Sequence, residues 1–499
     1  MKVCSCQEMQ VAEQQLIASG TPALDLMNQA ARNIAEAIIR FYPQPGLCIA
    51  FTGKGNNGGD AIAVLNILQQ CGWEADIAHP YPTEEWGELA RLQLSRLSRP
   101  LWKKETHPSG REFPHILLLD GLLGLGAKGD LRPEIAACCR TINRMRQSSN
   151  AFHTWAIDLP TGIDGDTGEV SDDAVVADHT SVIGGVKQGL LADSTTSYAG
   201  RLVSIPMDGL ELPDSCSERI LIDSYLLRRF PIHRPYELFK NQAGHVAVIA
   251  GSYSMPGAAR LCSEAALRAG AGLVTLFVTE ELYPILAPAL PPEIMIKPVS
   301  GFDQCEPDHY QTLLIGPGLG TISEKNARII HGFIREFQGT IVLDADGLNC
   351  AARENWTLGP NVLATPHPGE MKRLLHTDTS CLTREEIARE FTRRHEAALI
   401  YKGTRSIVTA SGAPVFYNSS GGPAMATAGQ GDVLAGVCAG WCAQGLAPVQ
   451  SALLSTYLCG CASEILLATG RQTEQTLCAG DTLRALPLAI RSISEATLP

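Results

Sequence analysis

No Cys-x-x-Cys pair occurs in the 499 residues, although the chain carries 16 cysteines. The nearest neighbours are Cys4/Cys6, Cys138/Cys139 and Cys459/Cys461. Such spacing lacks the geometry of zinc sites, and buried thiols behave as small hydrophobes. Reduced cysteines in a cytoplasmic chain are therefore expected. Positive charge is also short: 40 Lys and Arg against 52 Asp and Glu give a net charge of -12. An extended nucleic-acid surface is excluded on that balance, since phosphate neutralisation needs clustered cations. A small anionic ligand is not, because backbone dipoles hold phosphates without net positive charge. The first twenty residues lack an apolar h-region, so no secretory signal is expected. Val433 to Ser463 lacks any charged residue and is long enough to suggest a membrane span. Gln444, Gly445, Pro448 and Gln450 interrupt it, and two buried core helices are the better expectation. No short-period repeat of the solenoid kind is present.

What is present is ordinary globular composition, 45% hydrophobic and 18% charged, in a chain long enough for two domains. From Leu47, the runs "LCIAFTG", "ILLLDGLLG", "TWAIDLPTG" and "TSVIGG" read as buried strands followed by loops. Gln7 to Arg40 reads as a helical stretch. After a charged, proline-bearing stretch, "HVAVIAG", "LVTLFV", "TLLIGPG", "TIVLDADG", "NVLATPH" and "AALIYKG" repeat the habit. Continuous apolar runs separated by helical stretches predict parallel sheets covered by helices. The fold class is α/β in two domains joined near residues 207 to 235.

In the first half, "FTGKGNNGGDA" sets glycines between a strand and a helix, with Asn56, Asn57 and Asp60 adding polar capacity. It is read as neither a Walker loop, since no Gly-Lys-Ser/Thr follows, nor a G-x-G-x-x-G fingerprint. Asp120 and Asp158 end two other strands, with Thr161 close behind the second. Ligands sit at the carboxyl ends of parallel strands, so these loops are expected to share one crevice. A carboxylate, an amide oxygen and a hydroxyl suit a hard cation more than zinc. In the second half, "GPGLG", "TPHPGEMKRL", "YKGTRS" and "GQGD" stand at strand ends. Glycines at a helix start expose amides to phosphate, and a carboxylate there can take a proton from an attacking hydroxyl. The helix dipole is expected to lower the pKa of Asp432, making it a weak base that acts by position.

At these residues two resemblances become specific. "GKGNNGGD", "DGLLGLGAKG" and "DLPTGIDGDTG" resemble the NAD(P)H-hydrate epimerase domain over residues 1–215, which implies a Rossmann-like three-layer sandwich. The resemblance implies that Asn57, Asp120 and Thr161 surround potassium. It also implies that Asn56, Asn57, Gly58, Gly59 and Asp60, with Gly124, Leu125, Gly126, Ala127, Lys128, Gly129 and Asp130, hold substrate, and that Asp158 is catalytic. Thr161, Ala61 and Ala31 depart from the family's serine and glycines.

"KNQAGHVAVIAGSYSMPGAARLCSEAALRAGAGLVT", "IGPGLG", "LDADGLN", "TPHPGEMKRL" and "MATAGQGDVLAG" resemble the ribokinase-like NAD(P)H-hydrate dehydratase domain over residues 225–499. There the resemblance implies Ala258, Gly318, His367 and Asp432 at hydrated NAD(P)H, with Asp432 as catalytic base. Lys402, Gly403, Thr404, Arg405, Ser406 and Gly431 would hold ADP, accompanied by magnesium. Gly422 and Ala424 stand where the family has asparagine and glycine. Hydrated NADH, hydrated NADPH and ADP are the implied partners, with no nucleic acid, no membrane and a homo-oligomer expected. Two rivals stay open: a small-molecule kinase of the hydroxyethylthiazole or hydroxymethylpyrimidine type, and a non-enzymatic scaffold.

Overall fold

The structure, a computed structural model, describes residues 1–99, 101, 113–126 and 129–495. It divides into two units, Met1–Leu221 and Ile222–Pro499. In the first, six parallel strands lie in the order Glu74–Ala78, Leu47–Thr52, Ile116–Gly121, Phe152–Ile157, His179–Ile183 and Arg201–Ile205. Successive side chains of a strand point to opposite faces. Leu117 and Leu119 accordingly join the core beneath the helices Ala23–Phe41 and Asn56–Gln70. Leu118, between them, joins Ile135, Cys139 and Ile142 of the helix Pro133–Ser148. Helices therefore cover both faces of the sheet, as the apolar runs predict, giving the three layers that the resemblance implies.

Three details differ from the sequence reading. The stretch from Gln7 to Arg40 forms two helices, Cys6–Ala18 and Ala23–Phe41, because Gly20 takes φ 110° and Pro22 starts the second. The strands Glu74–Ala78 and Arg201–Ile205 are additional; both lie at sheet edges and carry charged residues that mask an apolar run. The helix after the first glycine-rich turn begins at Asn56 rather than beyond Asp60.

The second unit is built on a ten-stranded sheet. Its order is Ile294–Val299, Leu273–Thr279, His245–Ile249, Thr312–Ile315, Thr340–Leu343, Val362–Ala364, Ala398–Tyr401, Ile407–Thr409, Val415–Asn418 and Arg219–Ile222. The first seven are parallel, and Ile407–Thr409 and Val415–Asn418 turn antiparallel. The uncharged stretch forms two helices, Gln430–Ala443 and Pro448–Ala468. The second is apolar and long enough to cross a membrane, but 78% of its apolar window is buried inside the fold. The first packs against Pro256–Arg268 at close range: a Cβ on Gly436 would lie 2.1 Å from the Cys262 carbonyl oxygen. All 16 cysteines are free thiols.

Candidate active sites

In the first unit, the carboxyl ends of the strands open into a cavity of about 710 Å³. Asn56, Asn57, Asp60, Gly124, Leu125, Gly126, Gly129, Asp130 and Asp158 line it, as the sequence led us to expect. Gly58 and Gly59 are buried behind them, and Ala127 and Lys128 lie outside the described residues. The turn itself differs from the expectation. Gly53, Gly55 and Gly58 do have the G-x-G-x-x-G spacing, and the helix starts inside it, with Gly55, Asn56 and Asn57 of its first turn lining the cavity.

Beneath the cavity, Asp120 is fully buried. Its Oδ2 accepts from the Thr161 amide at 2.8 Å, and its Oδ1 from the Thr161 hydroxyl at 2.8 Å and the Leu122 amide at 3.2 Å. The Thr161 hydroxyl in turn accepts from the Leu123 amide at 3.2 Å, while Asn57 Nδ2 donates to the Leu123 carbonyl at 2.8 Å. The three residues expected at a cation thus meet around one short loop. Burial pushes the Asp120 carboxyl up to about 6.

Asp158 sits at the next strand end with φ 65°, a strained backbone for a non-glycine residue. Its Oδ1 accepts from the ammonium of Lys187, a side chain with no solvent exposure, and from the Ile183 amide at 3.3 Å. Sequence reading missed Lys187. Nothing local marks it in "IGGVKQG"; its role appears only when two strands are paired.

In the second unit, Lys402 is the centre of the polar cluster. Its Nζ donates to Asp344 Oδ1 at 2.8 Å and lies 3.9 Å from Glu370 Oε2. Burial opposes its charge, but the two carboxylates outweigh that and raise its pKa. The Thr365 hydroxyl also donates to Asp344 Oδ1, at 2.7 Å. Gly431 faces this group: a Cβ there would lie 3.5 Å from Lys402 Nζ and 3.9 Å from Asp344 Oδ2.

Asp432 stands in the first turn of the helix Gln430–Ala443, after Gly429 at φ 89°. Its carboxyl is raised to about 6, not lowered. Burial is the largest cause, the Asp344 charge adds to it, and Lys402 pulls the other way. The helix dipole expected to dominate is outweighed by desolvation.

Gly318 takes φ 61°, and a Cβ there would meet Ala258 Cβ at 2.8 Å, so these two expected contacts form one wall. Two residues on, a Cβ on Gly320 would lie 3.8 Å from Ser252 Oγ, which is buried and has no partner among the described residues. His367 caps the helix Pro368–Leu375, its Nδ1 accepting from Gly369 and Glu370 amides at 2.9 and 3.3 Å. Its side chain is half exposed, and its Nε2 lies 3.4 Å from Glu370 Oε1. The loop Lys402–Ser406 joins two antiparallel strands. Arg384 fixes it, donating to the carbonyls of Tyr401, Lys402, Thr404 and Arg405. Asp344 and Arg384 are further residues that motif reading left unassigned.

The family model described as NAD(P)H-hydrate dehydratase matches residues 246–483, and that described as YjeF-related protein N-terminus matches residues 23–189. A bifunctional NAD(P)H-hydrate repair enzyme of Moorella thermoacetica is 32% identical over 507 residues, covering 95% of this chain and 93% of its own. A hypothetical protein of Streptococcus mutans shares the second fold at 24% identity and TM-score 0.51, over 55% of this chain and all of its own. An ADP/ATP-dependent NAD(P)H-hydrate dehydratase of Bacillus subtilis, co-crystallised with ATP and Mg2+, is 26% identical with TM-score 0.48, over 55% of this chain and 98% of its own.

Proposed function

The chain belongs to the bifunctional NAD(P)H-hydrate repair enzymes, and from that premise we propose that each unit performs one step on hydrated NAD(P)H. The first unit interconverts the R and S epimers at C6, and the second, ribokinase-like unit dehydrates the S form at the expense of ADP. The observation that carries this reading is Asp432, raised to about 6 and set beside Gly431 and Lys402 at a helix start. A carboxylate with such a pKa is a competent base near neutral pH. It takes the proton of the C6 hydroxyl as that oxygen attacks the terminal phosphorus of ADP, and AMP leaves. The C6 phosphate ester then departs with push from the ring nitrogen, and loss of a C5 proton restores the double bond. Lys402 and the amides at the helix start offset the charge moving onto the phosphates.

The residues around Asp120 fit potassium. The Asp120 carboxylate and the Thr161 hydroxyl meet directly, and Asn57 is tied to the same loop through the Leu123 carbonyl, so a carboxylate, a hydroxyl and an amide oxygen are the hard, low-charge donors available there. Such a cation would fix the loop that carries Asp158. Among the described residues no group of three His, Cys, Asp or Glu is placed to hold a metal. Magnesium would therefore enter mainly on the phosphates of ADP, keeping part of its water shell. A cytoplasmic location and a homo-oligomeric state belong to the same reading.

The test uses purified full-length protein with a mixed pool of hydrated NADH epimers. With ADP in excess, recovery of dihydronicotinamide absorbance should consume the whole pool. No recovery with either ADP or ATP would sink the reading, and phosphorylation of a thiazole or pyrimidine alcohol instead would favour the kinase.

A further inference from the structure

Four carboxyl groups, Glu13, Asp60, Asp130 and Asp158, line the cavity of the first unit. One ammonium reaches them from inside the fold, that of Lys187. Besides Asp158, it donates to the carbonyls of Ile183 and Gly185 at 3.0 and 3.1 Å. An ammonium has three donors, so all are spent and none is left for Asp60 or Glu13. Among the described residues Asp60 has no hydrogen bond or ion pair, and its carboxyl is open to the cavity. Of the cations at the rim, Lys54 pairs with Glu85 at 3.7 Å and lies over the Tyr81 ring, and Arg132 is exposed.

We propose that these two aspartates work as an unequal pair, with Asp158, charge-paired and aimed by Lys187, as the base and Asp60 as the acid. The proposal rests on the reading of this unit as the epimerase. Burial, and then the charges of Asp158 and Glu13, push the Asp60 carboxyl well above the usual carboxylate range. The same burial raises Glu13, so the cavity favours carrying its negative charge where the lysine is. Carboxyls whose environments differ in this way divide into acid and base.

The chemistry then closes on itself. C6 of the hydrated ring bears a hydroxyl and is bonded to N1. Asp158 takes the hydroxyl proton as the C6–N1 bond breaks, its electron pair moving to N1. N1 takes the proton of Asp60, leaving an open-chain aldehyde. Rotation about C5–C6 presents the other carbonyl face, and reclosure returns both protons to where they began. No oxidant, reductant or water is consumed.

The experiment follows isolated R-epimer of hydrated NADH converting to S by chromatography, with full-length protein and no nucleotide. Wild-type kcat should fall on the alkaline side, as Asp60 loses its proton. Asp60→Asn should lower kcat by about 10²-fold or more, with little change in KM, and abolish that alkaline limb. Lys187→Met should lower kcat and Lys187→Arg should restore part of it; a merely structural lysine would change the folded fraction but not kcat per folded molecule. Glu13, Lys54, Tyr81, Asp130 and Arg132 also line the cavity and can titrate, so the limb is assigned by its loss in the Asp60 variant. Urea unfolding of the same preparations reports the folded fraction of the first unit, and dehydration of S-epimer with ADP reports that of the second. Wild-type kcat in Asp60→Asn, a loss confined to KM, or a persistent alkaline limb would overturn the proposal. Should that variant fail to fold, a wild-type profile without the limb would overturn it too. Wild-type protein that converts R to S no faster than the spontaneous reaction overturns the epimerase reading itself.

Discussion

Asp432 stands where the backbone dipole favours its charge and where burial and Asp344 disfavour it more, leaving its pKa at about 6. Dehydration should therefore fall about tenfold per unit as pH drops below about 6, because the base is protonated. The stability sign is the opposite. The folded pKa lies above the unfolded value, so the fold is penalised for ionising Asp432 above about 6 and recovers stability as pH falls towards 4. Asp432→Asn never ionises. It should lose nucleotide-dependent dehydration by about 10²–10⁴-fold and keep epimerisation. It should also gain up to about 3 kcal/mol of stability near neutral pH, from a shift of about two units. Denaturant unfolding at neutral pH checks this, and equal stability would show that Asp432 is solvated rather than buried. Asp432, Asp120 and Asp158 were legible in the sequence because each ends or opens an element beside glycines. Lys187, Asp344 and Arg384 were not. Lys187 meets Asp158 from 29 residues away, and Arg384 reaches carbonyls 17 to 21 residues on. Their meaning is set by strand pairing, which no local window contains.

At the scale of elements, central strands were legible because both faces are buried and the run is continuously apolar. Edge strands such as Glu74–Ala78 mix charge into the run and fade from view. The helical period was right over Gln7–Arg40, but the break at Gly20 and Pro22 was passed over, although both residues mark one. The strand His179–Ile183 carries a cost that sequence could not show. His179 stacks on Trp155 with centroids 4.7 Å apart, and its Nδ1 is buried with no partner among the described residues. Burial, helped by the charge of Arg201, pushes its pKa down to about 3. A histidine depressed in the fold contributes stability above its unfolded value of 6.5 and loses it as pH falls. His179→Phe keeps an aromatic ring in the stack and removes the titration. Relative to wild type, it should gain about 2 kcal/mol between neutral pH and about pH 5. Urea unfolding at the two pH values measures the difference, and a gain independent of pH would place the ring in solvent.

The division between Leu221 and Ile222 falls inside the strand Arg219–Ile222; that edge strand apart, each unit has its own sheet, its own helices on that sheet and its own polar cluster at the strand ends. Asp432, Gly431, Lys402, Asp344, Ala258 and Gly318 all belong to the second unit, as do the strands and helices that position them. A chain segment that buries a complete core and holds a complete site has what it needs to fold and act alone. The fragment of residues 219–499 keeps Arg219–Ile222, the last strand of the ten-stranded sheet, which a cut at 225 would remove. Expressed by itself, it should be soluble, unfold in one cooperative transition and dehydrate S-epimer with kcat within a few-fold of the full chain. It should leave R-epimer to the slow spontaneous route, so a mixed pool stalls once the S form is spent. Adding a first-unit fragment of residues 1–218 should release the stall, since the substrate diffuses between sites. An insoluble or inactive second fragment beside an active full chain would mean that its core is completed by the first unit. A stall that the first fragment does not relieve would mean that epimerisation needs the covalently joined chain.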